Sequence, residues 1–315
     1  MFKGKLSSKV RKILIVTVAL VMGFIMFIYR DWLSQDTILL SFLAISIVIG
    51  NASAFLWDWT PIFIFYYAYE FSRGHLTQIQ SFFHITVNNT ALYNIDKFIF
   101  GPNIPILQAQ KLIQPQITII DYIAFLWYTS FFWVPILIGY ILWVKDRRYF
   151  KVFRNAYLIL CFSALFTFLV FPAAPPWMAS QLGILPYLNT NTWGRLYVGS
   201  LSTGLFSIVG ANAVAPFPSL HVGWSVLSSY MMQSFTYKRI KGWSYLFYLY
   251  PLIMCFVVTY SSDHYVIDMI GGAVYATIAI IVAENYAKWW KIIMKKIREL
   301  LKRDHKEQLD LDAKV

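Results

Sequence analysis

Repeated apolar runs, each about long enough to cross a bilayer, constrain this chain more than any other feature of its sequence. A helix of about 17 to 25 apolar residues spans roughly 30 Å of hydrocarbon. The chain is 58% hydrophobic and only 13% charged, whereas a soluble domain carries about 25% charged residues. We therefore predict an all-α fold, a polytopic bundle of membrane helices. The candidate spans are residues 13–28, 37–56, 117–144, 153–171, 219–235, 243–260 and 265–283.

The net charge of +12 is concentrated at the ends of these runs. Such clustering is typical of cytoplasmic loops that face anionic lipid, so it disfavours nucleic acid as the partner. We expect at least the last three clusters to be cytoplasmic. Twenty of the 27 Lys and Arg residues lie in four clusters, at residues 3–12, 145–154, 238–241 and 288–303.

Counting the crossings reveals a conflict near the N-terminus. Seven spans with the last three clusters in the cytoplasm place the N-terminus outside, yet residues 3–12 are basic and contain no acid. We therefore predict an eighth crossing or a re-entrant pass within residues 57–116, where residues 61–71 are apolar but short. No small-residue cleavage site follows residues 13–28, which indicates a retained first span.

Three segments outside the spans have distinct compositions. Residues 82–100 can form a helix in the membrane interface. Residues 172–216 form a long loop, a kind that is often functional, and its only charged residue is Arg195. Residues 288–303 are basic and amphipathic, which predicts a helix along the cytoplasmic surface. We divide the chain into N-terminal spans with an interfacial segment (1–116), a core region (117–286) and a tail (287–315).

Two histidines open the last segments of the chain that can cross a bilayer. His221 ends the tetrapeptide that starts at Pro218, and His264 opens the sequence His-Tyr-Val-Ile-Asp, which ends at Asp268. A single apolar run, residues 243–260, separates the two histidines. The chain therefore crosses the bilayer and returns between them, and both histidines should lie at the same, non-cytoplasmic face, lumenal or extracellular.

Asp268 follows His264 by four residues, the spacing that brings two side chains to one face of a helix. Ionisable residues inside a span are costly and usually paired, so we expect Asp268 to bind His264. A carboxylate that accepts the Nδ1 hydrogen of an imidazole leaves Nε2 free as a nucleophile.

The starts of the two helices also suit an anion, because unpaired backbone N–H groups and the helix dipole point towards it. Two helix starts can therefore hold one phosphate between two histidines. We assign nucleophilic attack to His264 and acid-base chemistry to His221. The expected helix-start residues are Pro218 for one helix and Ser261, Ser262 or Asp263 for the other.

These motifs resemble a known family. Pro-Ser-Leu-His at 218–221, His-Tyr-Val-Ile-Asp at 264–268 and the following Gly271 and Gly272 resemble the second and third motifs of the type 2 phosphatidic acid phosphatase superfamily. Phe-Pro-Ala-Ala-Pro-Pro-Trp at 171–177 is similar to its inositol phosphorylceramide synthase branch. The resemblance covers about residues 117–286.

The resemblance implies a six-helix catalytic core within 117–286 and N-terminal extra spans outside it. It also implies a metal-free triad of His221, His264 and Asp268, with no cofactor. The implied reaction moves a phospho-headgroup between membrane lipids, from a phospholipid donor such as phosphatidylinositol to a lipid hydroxyl acceptor such as ceramide.

Two departures from the family leave donor and acceptor open. The lysine-arginine motif of the phosphatases is absent. Asp263 also precedes His264 where the synthases tend to have a second histidine. We expect Arg195 to stabilise charge on the phosphoryl oxygens, with Lys97, Lys111 and Arg73 in reserve. The predicted substrate-binding residues are Arg195, Ser219, Pro175, Pro176, Trp177, Tyr265 and Asp263, whereas Gly271, Gly272 and Ala276 are expected to pack helices closely.

Three alternatives to a transferase stay open from the residues. The same triad can use water as the acceptor, which makes a lipid phosphate or diphosphate phosphatase. Buried His and Asp can instead line the ion path of a transporter, but the polar residues here concentrate at one face. A metal hydrolase needs further ligands, which the sequence does not show near the histidines. Cys161 and Cys255 lie within apolar runs, where they are expected to act as small hydrophobic residues.

Overall fold

The computed structural model describes residues 13–17, 20–21, 24, 35–113, 116–189 and 214–312. Within these ranges all regular secondary structure is helical, and the single β-bridge joins Asn88 and Ala173. The all-α prediction is confirmed. From residue 35 on, the helices are α1 (Gln35–Val48), α2 (Ala52–Phe82), α3 (Ala91–Phe100), α4 (Pro105–Gln110), α5 (Ile119–Lys145), α6 (Arg147–Val170), α7 (Pro176–Gln181), α8 (Leu220–Ile240), a 3₁₀ helix (Lys241–Tyr248), α9 (Leu249–Tyr260) and α10 (Val266–Asp312).

Four stretches of the described chain are long and apolar enough to cross a bilayer. They coincide with the predicted runs from residue 117 onwards, so this half of the span assignment is confirmed. The predicted runs 219–235 and 243–260 fall within one of these stretches, because the 3₁₀ helix joins α8 to α9. The stretches are Ile119–Lys145, Arg147–Val170, Leu220–Tyr260 and Val266–Tyr286.

The stretch formed by α8, the 3₁₀ helix and α9 folds back on itself. The hydroxyl of Ser229, midway along α8, donates to the carbonyl oxygen of Phe247 at 2.8 Å. Val222, in the first turn of α8, shares a buried cluster with Val258 near the end of α9. The chain therefore runs down α8 and returns along α9, which is the there-and-back path that the sequence predicts between the two histidines.

The predicted span 37–56 is wrong as a single helix. α1 ends at Val48, Gly50 adopts a left-handed conformation (φ 77°), and α2 begins after Asn51. Glycine enters this conformation without the steric cost that other residues have. The apolar composition continues across the break, so hydropathy alone does not reveal it.

The eighth crossing or re-entrant pass expected within residues 57–116 stays a prediction, and the long helix that enters this range is α2. Asp58 near its start pairs with Arg147 at the start of α6, and the Gln80 side chain near its end donates to the carbonyl oxygen of Phe168 at 2.8 Å. α2 thus lies along the full length of α6. Its 31 residues measure about 46 Å at 1.5 Å per residue, although it is too polar to count among the four apolar stretches.

A second, smaller hydrophobic cluster lies at the histidine end of the bundle. It joins α3, α4 and α7 to the residues after α7, and we call these segments (91–110 and 172–189) the cap. The predicted interfacial helix 82–100 is too long, because α2 ends at Phe82 and the next helix begins only at Ala91. The buried members of the cluster are Leu92, Ile104, Ile106, Ala173, Ala179, Leu185, Leu188 and Tyr265.

Two further predictions concern the long loop and the tail. The loop predicted at 172–216 contains the short helix α7, and its residues 190–213 lie outside the described residues. The basic segment 288–303 is not a separate helix, because α10 continues from Val266 to Asp312 without a break.

Candidate active site

The structure brings the two histidines into direct contact. His221 lies in the first turn of α8, and His264 lies two residues before α10. The distance between His221 Nδ1 and His264 Nε2 is 3.1 Å, within hydrogen-bond range. Because α8 and α9 form an antiparallel pair, both rings belong to the same end of the bundle, as the crossing count predicts.

Asp268 lies behind His264 on the side away from His221. Its Oδ2 atom is 3.5 Å from His264 Nδ1, and the side chain is fully buried. This separation exceeds that of a well-formed hydrogen bond, so the contact is mainly electrostatic. The expected pairing is present, but His264 precedes the helix and does not share a helical face with Asp268, because α10 begins at Val266.

The backbone around Asp268 is tied to the start of α8. The same Oδ2 atom accepts a hydrogen bond from the Tyr265 N–H at 2.9 Å. The carbonyl oxygen of Asp268 accepts from the Ser219 N–H, also at 2.9 Å. Ser219 in turn is the N-cap of α8, and its hydroxyl oxygen accepts from the Val222 N–H. The elements that carry the two histidines are therefore held together by hydrogen bonds.

Two glycines allow this close approach of α8 and α10. A Cβ atom on Gly272 would overlap the carbonyl oxygen of Ser219, and one on Gly271 would overlap the ring of Phe217. Ala276, one turn further along α10, is fully buried. The predicted packing role of these three small residues is confirmed.

Asp96 is a residue of the site that the sequence analysis did not predict. It lies on α3, and its two carboxylate oxygens accept from the N–H groups of Val266 at 2.8 Å and Ile267 at 3.0 Å. Burial raises the pKa of Asp96 above its ordinary value, and the two amide hydrogen bonds oppose that shift. One signal was available: Asp96 is four residues after Leu92, so the two lie on the same buried face of an amphipathic helix.

These bonds contradict the expected cradle of free N–H groups. The first amides of α10 donate to Asp96, and the Tyr265 amide donates to Asp268. The predicted N-cap of α10 is wrong as well, because the hydroxyl of Ser261 donates to the carboxylate of Asp263. Pro218 precedes the Ser219 cap and is not in the first turn of α8. A carboxylate from a distant helix occupies the place that the sequence assigned to a phosphate.

Aromatic side chains of α5 and α8 surround His221. The ring centroids of Phe131 and Tyr128 lie 4.1 Å and 4.6 Å from that of His221, and Phe131 also stacks on Trp224. Tyr128 is hydrogen-bonded to Asp263. The ring of His221 is therefore held between aromatic faces, and Asp263 is linked to it through Tyr128.

The cap contacts the loop that precedes His264. The Trp177 N–H, in the first turn of α7, donates to the carbonyl oxygen of Ser262 at 3.2 Å. The amide of Gln110, at the end of α4, donates to the Ser262 hydroxyl at 2.7 Å. Pro175 and Pro176 are buried at the start of α7. The Pro-Pro-Trp segment therefore lies next to the site, but substrate contact by these residues stays a prediction.

The other predicted substrate residues have different outcomes. Tyr265 is buried in the cap cluster, and burial raises the pKa of its phenol. Within the described part of the chain its hydroxyl has no hydrogen-bond partner. Arg195 lies outside the described residues, as does the side chain of Arg73. Lys97 lies over the ring of Tyr93, and Lys111 donates to Gln108.

A resident metal or cofactor was not expected here. Among the described residues there is no cluster of three or more His, Cys, Asp or Glu side chains that could hold a metal ion. The histidines and Asp268 instead offer two imidazoles and a buried carboxylate. Such a set can supply a nucleophile and a general acid-base catalyst.

Comparison with known proteins agrees with these motifs. Residues 90–282, more than half of the chain, match the family model of the PAP2 superfamily. This match includes residues of the cap as well as the predicted core, and the domain boundaries stay a prediction.

Two curated relatives are similar over about 200 residues. The chain is 32% identical over 206 residues to a phosphoinositol dihydroceramide synthase of Bacteroides thetaiotaomicron, a match that covers 59% of this chain and 64% of that protein. It is 26% identical over 203 residues to the inositol phosphorylceramide synthase catalytic subunit aur1 of Schizosaccharomyces pombe, covering 62% of this chain and 46% of the relative. The match therefore spans less than two thirds of either relative. No solved structure matches the chain.

Proposed function

This chain belongs to the PAP2 superfamily, and on that premise we propose that it is an integral-membrane lipid phosphotransferase. It moves a phosphoinositol-like headgroup from a glycerophospholipid to the hydroxyl group of a ceramide-like lipid. The observation that carries the proposal is the contact between His221 and His264, with Asp268 behind His264. The names of the two relatives support the choice of headgroup and acceptor.

The proton positions follow from the order of the three side chains. If Asp268 accepts the Nδ1 hydrogen of His264, then His264 Nε2 carries a lone pair. The facing atom, His221 Nδ1, must then donate in the 3.1 Å contact. This assignment makes His264 the nucleophile and His221 the proton donor, and it is inferred from the hydrogen bonds.

The first half of the reaction forms a phosphohistidine. His264 Nε2 attacks the phosphorus of the donor lipid, and a bond from phosphorus to nitrogen forms as the bond to the diacylglycerol oxygen breaks. His221, protonated on both nitrogens, gives its Nδ1 proton to the leaving alkoxide. The negative charge of a phosphodiester next to the rings stabilises this imidazolium form.

The second half of the reaction restores the enzyme. The acceptor hydroxyl gives its proton to His221 as its oxygen attacks phosphorus, and the phosphorus-nitrogen bond breaks. His264 leaves with its lone pair, and His221 is again an imidazolium. Asp268 stabilises the positive charge that develops on His264 in both halves. The buried aspartate of a Ser-His-Asp triad stabilises its imidazolium in the same way.

Substrate binding must separate the two rings. Reacting atoms lie about 3 to 3.5 Å apart in a reactive complex, so a phosphorus in line between two nitrogens needs roughly 6 to 7 Å. The present separation of the nitrogens is 3.1 Å. His264 is fixed by Asp268 and by the cap, so we expect the His221 ring to move relative to Phe131 and Tyr128.

We also propose that the site faces the non-cytoplasmic side of the membrane, lumenal or extracellular. The basic residues 145–154 and 238–241 lie at the end of the bundle opposite to the histidines. Positively charged loops face the cytoplasm in most membrane proteins. Arg195 stays our candidate for stabilising the phosphoryl oxygens.

The test uses the purified protein with phosphatidylinositol labelled in its headgroup phosphate and with ceramide as acceptor. We expect a labelled sphingolipid, and we expect His264→Ala and His221→Ala to lower its formation about 10²- to 10⁴-fold. His75→Ala is the matched control, because the His75 ring bonds the carbonyl oxygen of Phe71 in its own helix and is not part of the His221–His264 contact.

Two outcomes would contradict the proposal. Release of labelled inositol phosphate from phosphatidylinositol, or of free phosphate from phosphatidate, without any transfer to a lipid would mean that the same residues use water as the acceptor. Full transfer activity in His264→Ala would exclude the phosphohistidine mechanism.

A further inference from the structure

A cleft opens at the end of α8 that lies opposite to His221. It is a widely open depression with a volume of about 770 Å³, and it follows the turn at which Lys241 adopts a left-handed conformation (φ 44°). α8 has 21 residues, so its two ends are about 30 Å apart. The cleft therefore cannot share a ligand headgroup with the histidines. Its lining residues are Arg239, Ile240, Lys241, Gly242, Trp243 and Leu246.

The polar side of the cleft is cationic. Arg239 and Lys241 line it, no carboxylate is among the lining residues, and Lys238 is exposed beside it. The guanidinium of Arg239 lies 5.5 Å from the ring centroid of Phe235, which leaves its N–H groups available at the edge. This composition favours an anionic group.

The other side of the cleft continues into an apolar track. Five large side chains follow each other at intervals of three or four residues along the 3₁₀ helix and α9, so they share one face. Each is between 42% and 75% exposed in the protein alone. The track runs from the cleft towards the middle of the bilayer and consists of Trp243, Leu246, Leu249, Leu252 and Phe256.

We propose that this cleft binds an anionic phospholipid from the leaflet opposite to the active site. Its phosphate lies between Arg239 and Lys241, and one acyl chain lies along the track that starts at Trp243. A free phosphate would use the two cations but not the track, whereas a neutral lipid would use the track but not the cations. The combination of both fits a phospholipid with net negative charge. This inference does not depend on the proposed transferase activity.

The test measures lipid retained by the purified full-length protein in native mass spectrometry, after equilibration with equal amounts of phosphatidylglycerol and phosphatidylcholine. We expect the wild-type protein to retain phosphatidylglycerol preferentially. Each basic side chain near a lipid surface contributes about a fivefold factor, so R239Q/K241Q should lower phosphatidylglycerol retention about 10- to 30-fold. Trp243→Ala should lower the retention of both lipids.

The matched control is R148Q/K151Q, which removes the same charge at the same end of the bundle but outside the cleft. Arg148 and Lys151 belong to α6, whose first turns contact α8 through Tyr149 and Phe235. Retention in this control should stay at the wild-type level. An equal loss in both double variants, or no loss in R239Q/K241Q, would overturn the proposal. Displacement of the lipid by millimolar inorganic phosphate would also overturn it, because that result indicates a simple anion site.

Discussion

Asp268 contacts three other residues of the site, namely Tyr265, His264 and Ser219. Its carboxylate accepts from the Tyr265 amide and faces His264, and its carbonyl oxygen accepts from Ser219. An anionic side chain that is fully buried is costly in a bilayer unless it is paired. These contacts offset that cost and, at the same time, orient the proposed nucleophile.

The first prediction concerns Asp268→Asn. An amide is nearly the same size but carries no charge, so it cannot stabilise a cationic His264. We expect headgroup transfer to fall about 10²- to 10⁴-fold, with a thermal midpoint close to that of the wild-type protein. Transfer assays and thermal unfolding in detergent measure the two quantities. Wild-type transfer by Asp268→Asn would show that the carboxylate has no role in the reaction.

Asp96 contacts the start of α10 directly, although it lies 170 residues earlier in the chain than Val266. Its carboxylate accepts from Val266 and Ile267, so it fixes the first turn of α10, and that turn carries Asp268. A helix start without an acceptor leaves buried N–H groups unpaired, which costs free energy.

The second prediction concerns Asp96→Ala. Loss of an N-cap acceptor costs about 1 to 2 kcal/mol of stability, and we expect both the thermal midpoint and the transfer rate to decrease. Asn94→Ala on the same helix is the control, because the Asn94 side chain is exposed. An unchanged midpoint in Asp96→Ala would mean that the Asp96 carboxylate does not stabilise the start of α10.

At the scale of elements, the crossing of α8 and α10 decides the geometry of the site. Gly223 of α8 lies against the backbone of Gly272, and Gly272 lies against Ser219. Small residues let helix backbones approach closely in membranes, where packing drives helix association. The same approach places the Ser219 amide within hydrogen-bond distance of Asp268.

The third prediction tests this crossing with Gly272→Ala. The new methyl group would overlap the Ser219 carbonyl oxygen, a backbone atom that cannot move without shifting α8. Overpacking of this kind costs about 1 to 3 kcal/mol, so we expect a lower thermal midpoint and a large loss of transfer. Gly242→Ala is the control, because a Cβ atom there has nothing within 4 Å. Equal effects of the two substitutions would contradict the close crossing.

At the scale of the whole molecule, the two ends of the bundle have opposite character. One end contains the cap, the histidines and Asp268, and the other contains the α5–α6 turn and the cleft at Lys241. α2, which runs beside α6 from Asp58 to Gln80, connects the two ends. The basic residues gather at the end without the histidines, which supports a non-cytoplasmic active site.

The fourth prediction tests this orientation by cysteine labelling. In a background with Cys161→Ala and Cys255→Ala, Asn89→Cys reports the cap end and Gly242→Cys reports the opposite end; both positions are exposed. We expect a membrane-impermeant maleimide to label Asn89→Cys in intact cells and Gly242→Cys only after permeabilisation. The reverse pattern would place the histidines at the cytoplasmic face.

Much of the fold and the three proposed catalytic residues could be predicted because their signals are local. The length of an apolar run predicts a crossing, and the number of crossings between His221 and His264 predicts that they lie at one face. The break at Gly50 and the polar helix α2 were harder, because apolar composition continues through the first and is diluted in the second.

By itself, the sequence determined that this is an all-α membrane protein with two histidines and a carboxylate at one end, because a bilayer accepts few backbone structures and each crossing reverses direction. Only the tertiary structure decided that Asp96 occupies the start of α10 and that Phe131 and Tyr128 enclose His221. The physical reason is that a buried amide or imidazole is satisfied by whichever group packing brings within about 3 Å. That group can lie anywhere along the chain.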